Sequence, residues 1–289
     1  MSDIDSEITG ELVALLQIRT QGGRDRSAAT QAIKELRARE SANSDLSPAV
    51  SLRLRAAELE VVERTIDYGE ARRLWDDLLN ESEGALVLHH PVASTIRAGL
   101  ARMARFDGDL AEAERLARQE ISIRTKAYGA SALRTSIARL NLAAVLNETG
   151  PGTNRRRALQ IAEEEVALRR KTWGEQHSFT DTARFLAARI TVTEAEEQPG
   201  ALSTPDLVQH LQICEALTAR RLARTGAASA STLRAERLKA RVLILLGEHE
   251  RAEWVLQRVS AAEQVGGVID PSITERHLAR ARAGASESE

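Results

Sequence analysis

The chain has 289 residues, 43% of them hydrophobic, 28% charged and only 3% aromatic. Forty Lys and Arg stand against 42 Asp and Glu, which excludes attachment to nucleic acid or a membrane surface through a general basic excess. A single cysteine, Cys214, excludes an intrachain disulfide and fits a reducing compartment. No apolar run approaches the ~20 residues that span a bilayer, so a cytoplasmic protein is expected.

The opening stretch, Met1 to Gln17, is acidic and lacks the basic start of a secretory signal. From there the chain is rich in Ala, Leu, Arg and Glu, all strong helix formers. Its six Pro and 17 Gly fall mostly between apolar runs. No stretch alternates β-branched and polar residues as a half-buried strand would. The expected class is all-α.

In chain order the helices group into pairs. The first pair is expected near residues 6–47 and the second near 48–89, with the turn Asp67-Tyr68-Gly69-Glu70-Ala71 between its helices. The third, 90–131, carries a clearer form of that turn, Gly108-Asp-Leu-Ala-Glu-Ala113-Glu114. Ala71 and Ala113 are 42 positions apart (113 − 71), as are Gly108 and Gly150 (150 − 108). The fourth, 132–176, repeats the second helix of the third with 45 residues between them. Ala113, Leu116, Ala117, Glu120, Arg124, Lys126, Tyr128 and Gly129 become Ala158, Ile161, Ala162, Glu165, Arg169, Lys171, Trp173 and Gly174. The three extra residues are assigned to the turn Pro151 to Arg157, where insertions in such arrays belong. The fifth pair, 177–228, has the longest turn, Glu196 to Asp206. The sixth, 229–270, repeats the turn as Gly247 to Ala252-Glu253. A capping helix is expected over 272–283 and a disordered tail over 284–289.

A pair of short helices with apolar residues at i, i+3, i+4 and i+7 cannot bury them alone. Stacking the next pair in register completes the burial and gives a solenoid. Ala71, Ala113, Ala158 and Ala252 mark the tightest approaches, and Tyr128 and Trp173 close equivalent helix ends by packing.

Once the repeat is aligned, the span from about Tyr68 to Ala187 resembles tetratricopeptide (TPR) repeats, most of all the 42-residue kinesin-light-chain type found in many bacterial proteins. The resemblance rests on Ile123-Arg124-Thr-Lys126-Ala-Tyr128-Gly129, Leu168-Arg169-Arg-Lys171-Thr-Trp173-Gly174 with His177, His90-Pro91-Val92-Ala93, and Leu140-Asn141-Leu142-Ala143. It implies a right-handed superhelix, which the repeat frame extends to about six pairs. The concave wall, made by the first helix of each pair, would bind extended or helical peptides and hold no catalytic residues.

Counting positions three or four apart along the first helices gives the candidate groove: Arg53, Arg64, Arg102, Arg105, Asn147, Arg189, Arg234, Arg237 and Arg241. Guanidinium groups suit carboxylates and phosphates, which points to an acidic partner segment. The competing reading is that these arginines pair with nearby Glu, as arginines on the other faces do. Both stay open.

Other motifs carry less. His89-His90 lacks the cluster needed to complete a metal site, and His90 and His177 hold the same position at the start of a first helix. Cys214 lies in an apolar run and reads as a buried, inert thiol. Arg155-Arg156-Arg157 reads as a solvated run in an inserted turn. Gly22-Gly23 and Gly266-Gly267 lack any nucleotide-binding signature, so neither cofactor nor metal is expected. The leading function is a protein- or peptide-binding scaffold, an adaptor or sensor rather than an enzyme, with homo-oligomerisation open. The alternative is a regulatory module of a signalling or transcription system that answers a signal peptide or acts by oligomerising. An enzyme on a helical-repeat frame ranks behind both, because the groove positions offer no acid–base pair.

Overall fold

A computed structural model describes residues 47–62, 67–266 and 271–286, and before them only Gln31, Lys34, Glu35 and Ala38. Apart from those four and Ser47, the expected pair over 6–47 lies outside the described residues, as do the groove position Arg64 and residues 287–289 of the tail. Among the described residues from Ser47 onward the elements are eleven α-helices: α1 Pro48–Val62, α2 Tyr68–Ala85, α3 Pro91–Phe106, α4 Leu110–Tyr128, α5 Leu133–Glu148, α6 Thr153–Trp173, α7 Ser178–Glu197, α8 Thr204–Thr225, α9 Ala230–Leu245, α10 His249–Gly266 and α11 Pro271–Ser286. α11 thus continues three residues beyond 283, through positions first read as tail. The chain divides into two compact units, one ending at Thr149 and the other running from Gly150 to the C-terminus, so the division falls inside the expected fourth pair.

Local chemistry sets the helix ends. Asp67 and Asp109 cap α2 and α4 with side-chain carboxylates. Ser203 and Asp206 cap α8 reciprocally, which shortens the expected long turn to the residues between Glu197 and Thr204. His90 and His177 cap α3 and α7, each ring Nδ1 accepting from the backbone N–H two residues on, at 3.2 Å. Gly129 and Gly174 end α4 and α6 at φ 86° and 96°, left-handed backbone that a side chain would strain.

The repeat is visible in the hydrogen bonds as well as the helices. Arg97, Arg139 and Arg184, at matching positions of α3, α5 and α7, each donate to the carbonyl nine residues earlier, at 2.6, 2.8 and 2.7 Å. Arg124, Arg169 and Arg221, near the ends of α4, α6 and α8, each donate to the carbonyl ten residues later, at 2.7, 2.7 and 2.9 Å. Thr135 and Thr180 donate to the carbonyls of Gly129 and Gly174, both at 2.8 Å. These bonds tie the end of each second helix to the start of the next first helix. The Ile-Arg and Leu-Arg pairs of the sequence motif owe their arginine to this clamp.

Ala71, Ala113, Ala158 and Ala252 are all fully buried. In the first unit the core joins Leu52 and Ala56 of α1 to Trp75 of α2 and Ile96, Leu100 and Met103 of α3. In the second it joins Val192 of α7, Cys214 of α8, Leu238 and Val242 of α9, Leu256 of α10 and Ala281 of α11. Tyr128 and Trp173 do more than fill space. The Tyr128 hydroxyl donates to the His89 carbonyl at 2.8 Å, and Trp173 packs on His177 and edge-on to Phe179.

Arg155 departs from its sequence reading. It lies in the first turn of α6, is buried, and bonds Glu197 at 2.6 and 3.0 Å and Glu194 at 3.1 Å. The helix begins at Thr153, one residue past Gly152, so Arg155 points inward while Arg156 and Arg157 are exposed.

Candidate binding face on the first helices

In the first unit, α1 and α3 lie against each other, and arginines bridge them. Arg53 of α1 donates to the Thr95 hydroxyl of α3 at 3.3 Å, and burial lowers its pKa. Arg102 of α3 sits 3.9 Å from Glu60 of α1 and 5.7 Å over the Trp75 ring. Arg105 of α3 forms a two-pronged pair with Glu148 of α5, one bond being 2.7 Å. Asn147 is largely buried.

In the second unit the centre is Glu196 of α7. Arg241 of α9 donates to it at 2.6 Å and to Thr193 at 2.9 Å, and Arg280 of α11 reaches the same carboxylate at 3.0 Å. Burial pushes the Glu196 carboxyl up, but the Arg241 bond and the charges of Arg241 and Arg280 outweigh it and leave the pKa lowered. Beside it, burial and the neighbouring Arg241 take His277 down to about 4, so at neutral pH its ring adds no charge. Arg237 is buried, 3.8 Å from Glu263. Arg189 is half-buried and Arg234 exposed.

The candidate positions thus fall on consecutive first helices within each unit, but Arg102, Arg105, Arg237 and Arg241 arrive already matched to carboxylates. Glu60, Glu148, Glu196 and Glu263 each hold one of them, and Arg237 and Asn147 offer little surface. Helical spacing points to the arginines and to Glu60, and the competing reading expects pairing with nearby Glu, but neither singles out Glu148, Glu196, Glu263 or Arg280. For three of the pairs the signal is the period itself: Arg102 and Glu60 are 42 positions apart (102 − 60), Arg105 and Glu148 are 43 apart (148 − 105), and Arg241 and Glu196 are 45 apart (241 − 196).

No group of three or more His, Cys, Asp or Glu among the described residues is placed to hold a metal ion. None of the described helices is long and apolar enough to cross a membrane. Cys214 is buried, and burial pushes its thiol up to about 12, so almost none is thiolate at neutral pH. Iodoacetamide should label Cys214 slowly in the native chain and fully in denaturant. Rapid native labelling would contradict this burial.

No family model and no curated protein matches the sequence. Solved structures do match. A protein of Podosopora anserina described as a kinesin light chain of nearly identical TPR-like repeats shares 19% identity, covering 75% of this chain and 95% of its own, with a TM-score of 0.53. The fold is that of the TPR-like repeat proteins. BtubC (BKLC) from P. vanneervenii aligns over 100% of this chain and 93% of its own at 12% identity and a TM-score of 0.51. A Rap protein solved with Competence and Sporulation Factor aligns over 94% of this chain and 80% of its own at 10% identity and a TM-score of 0.57. The chain is accordingly an all-α, TPR-like solenoid whose helices pack on their sequence neighbours within each unit.

Proposed function

We propose that this TPR-like chain is a scaffold, not an enzyme, and that it binds a protein or peptide segment along the first-helix face of either unit. The observation that carries the reading is the row of guanidinium groups that cross from one first helix to the next and engage carboxylates there, most fully at Glu196. A guanidinium has five N–H donors in a planar fork, so an arginine held by one carboxylate keeps donors for a second. An acidic segment would share or exchange these carboxylate positions. Because Arg102, Arg105, Arg237 and Arg241 are already matched to carboxylates, recognition there would act at contact distance more than through long-range steering.

The test is an affinity pull-down from the native cell with the wild type and with a variant carrying Arg102→Glu, Arg189→Glu and Arg241→Glu. Prey lost only in the variant would name partner and face together, and its affinity should fall as salt rises. Equal capture by both proteins, or an affinity indifferent to salt, would reject the acidic-segment reading.

The likeness to a Rap protein solved with a factor supports a second reading, a regulatory module that answers a signal peptide and acts on an effector in trans. In that case ligand would alter the chain's shape or oligomeric state. Small-angle scattering that stays unchanged on titration with the captured ligand would remove it.

A further inference from the structure

The second unit has an apolar cavity that the first-helix reading does not use. It has a volume of about 300 Å³ and opens between the end of α8, the start of α9 and the body of α10. Leu222, Leu233, Val255, Val259 and Ala262 line it. This volume is at the small end of ligand pockets, enough to seat one or two side chains rather than a large cofactor. On α9 the lining positions are Thr232, Leu233 and Glu236, turned away from Arg234 and Arg241, with Leu233 one helical turn from Arg237.

The rim of the cavity is unusual for this chain. Leu222 is 46% exposed and Trp254 58% exposed, large apolar groups left to water. The Arg258 guanidinium, itself part of the lining, lies 4.6 Å over the Trp254 ring. Arg102, Arg105, Arg155, Arg237, Arg241 and Arg280 each meet a carboxylate on a neighbouring helix; Arg258 meets none among the described residues and is exposed. The other charged lining group, Glu236, is taken by Lys239 at 2.6 Å. The cavity therefore joins an unfilled apolar space to an unmatched cation stacked on an aromatic ring. Tryptophan and arginine beside a pocket are the residue types that most often dominate binding energy at interfaces.

We infer that this cavity is a second docking site, distinct from the first-helix face. Its occupant is an acidic segment of a partner protein that places a large apolar side chain between Leu222 and Val259 and a carboxylate against Arg258. The apolar side chain replaces water in the cavity. The carboxylate supplies the charge that Arg258 lacks while the guanidinium stays stacked on Trp254.

The probe is a short dye-labelled synthetic peptide with a central Phe flanked by Glu, alongside one peptide with Lys in place of Glu and one with Ala in place of Phe. Binding to the full chain is read by anisotropy of the dye. The Glu-and-Phe peptide should bind saturably and the two controls at least about tenfold more weakly. Arg258→Glu and Leu222→Ser, both at exposed positions, should each weaken it by about tenfold or more with helix content unchanged. The Arg102, Arg189 and Arg241 reversal should leave it bound. No saturable binding, equal binding of the Lys peptide, or loss only in the first-helix reversal would each overturn the inference, the last without touching the proposed function. Self-association of the free chain that Leu222→Ser abolishes would also overturn it, by making a second copy the occupant.

Discussion

Gly99→Ala should lower the stability of the first unit by about 1–3 kcal/mol, even though alanine is the better helix former by about 1 kcal/mol. Gly99 lies in the interior of α3, where propensity alone would favour any other residue. A Cβ built there would sit 2.7 Å from each of three ring atoms of Trp75. Trp75 is fully buried in the core formed by α1, α2 and α3, so its ring has nowhere to move without opening that core. The glycine serves the close approach of α3 to the indole face. Urea unfolding followed by circular dichroism should show a lower midpoint with the native helix content unchanged. Trp75→Leu alone should cost several kcal/mol as a cavity. On that background Gly99→Ala should cost little or even stabilise, because the clash has gone and the helix preference remains. The coupling between the two positions is the quantity to measure, and a Gly99→Ala protein as stable as the parent would disprove the close approach.

The contrast between Gly99 and the fully buried alanines shows what was legible in the sequence. Ala71, Ala113, Ala158 and Ala252 recur at the repeat period, and a recurring small residue identifies itself. Gly99 occurs once, opposite a tryptophan that also occurs once, and a contact between two unrepeated residues leaves no periodic trace. The class, the sequential packing of helices and the small-residue approaches came from a pattern repeated at 42 and 45 residues. The roles of Arg124 and Arg169 did not, because a side chain aimed at a backbone carbonyl has no partner letter in the sequence. The candidate face was half legible. Helical spacing located Arg102, Arg105 and Arg241 on first helices, but pairing each cation needed the period applied across helices, to Glu60, Glu148 and Glu196. Arg155 reads as solvated only if the helix starts past it, and the start at Thr153 makes it a buried cation instead.

A large electrostatic effect should come from Glu120. Its carboxylate accepts from Arg97 at 2.6 Å and from Arg124, and Arg97 is 1% exposed with a further bond to the Leu88 carbonyl. Glu120→Ala would leave the Arg97 charge buried without a counterion, a change that costs about 3–5 kcal/mol. Arg97→Met should cost less, since Glu120 would still be held by Arg124. This ordering separates a buried pair from an incidental surface one, whose two removals would be similar and small. The pair also sets a pH dependence. Burial raises the Glu120 pKa, but bonds from Ser94, Arg97 and Arg124 outweigh it, so the folded value lies below the ordinary one. A carboxyl that binds its proton less readily when folded contributes stability above its unfolded pKa of about 4.3. That contribution drains away as pH falls through the lower folded value. Glu120→Gln should therefore be destabilised at neutral pH, and the gap to the parent should shrink as both are acidified below about pH 4. A gap that stayed constant across that range would show that the carboxylate charge contributes nothing to the packing of α3 on α4.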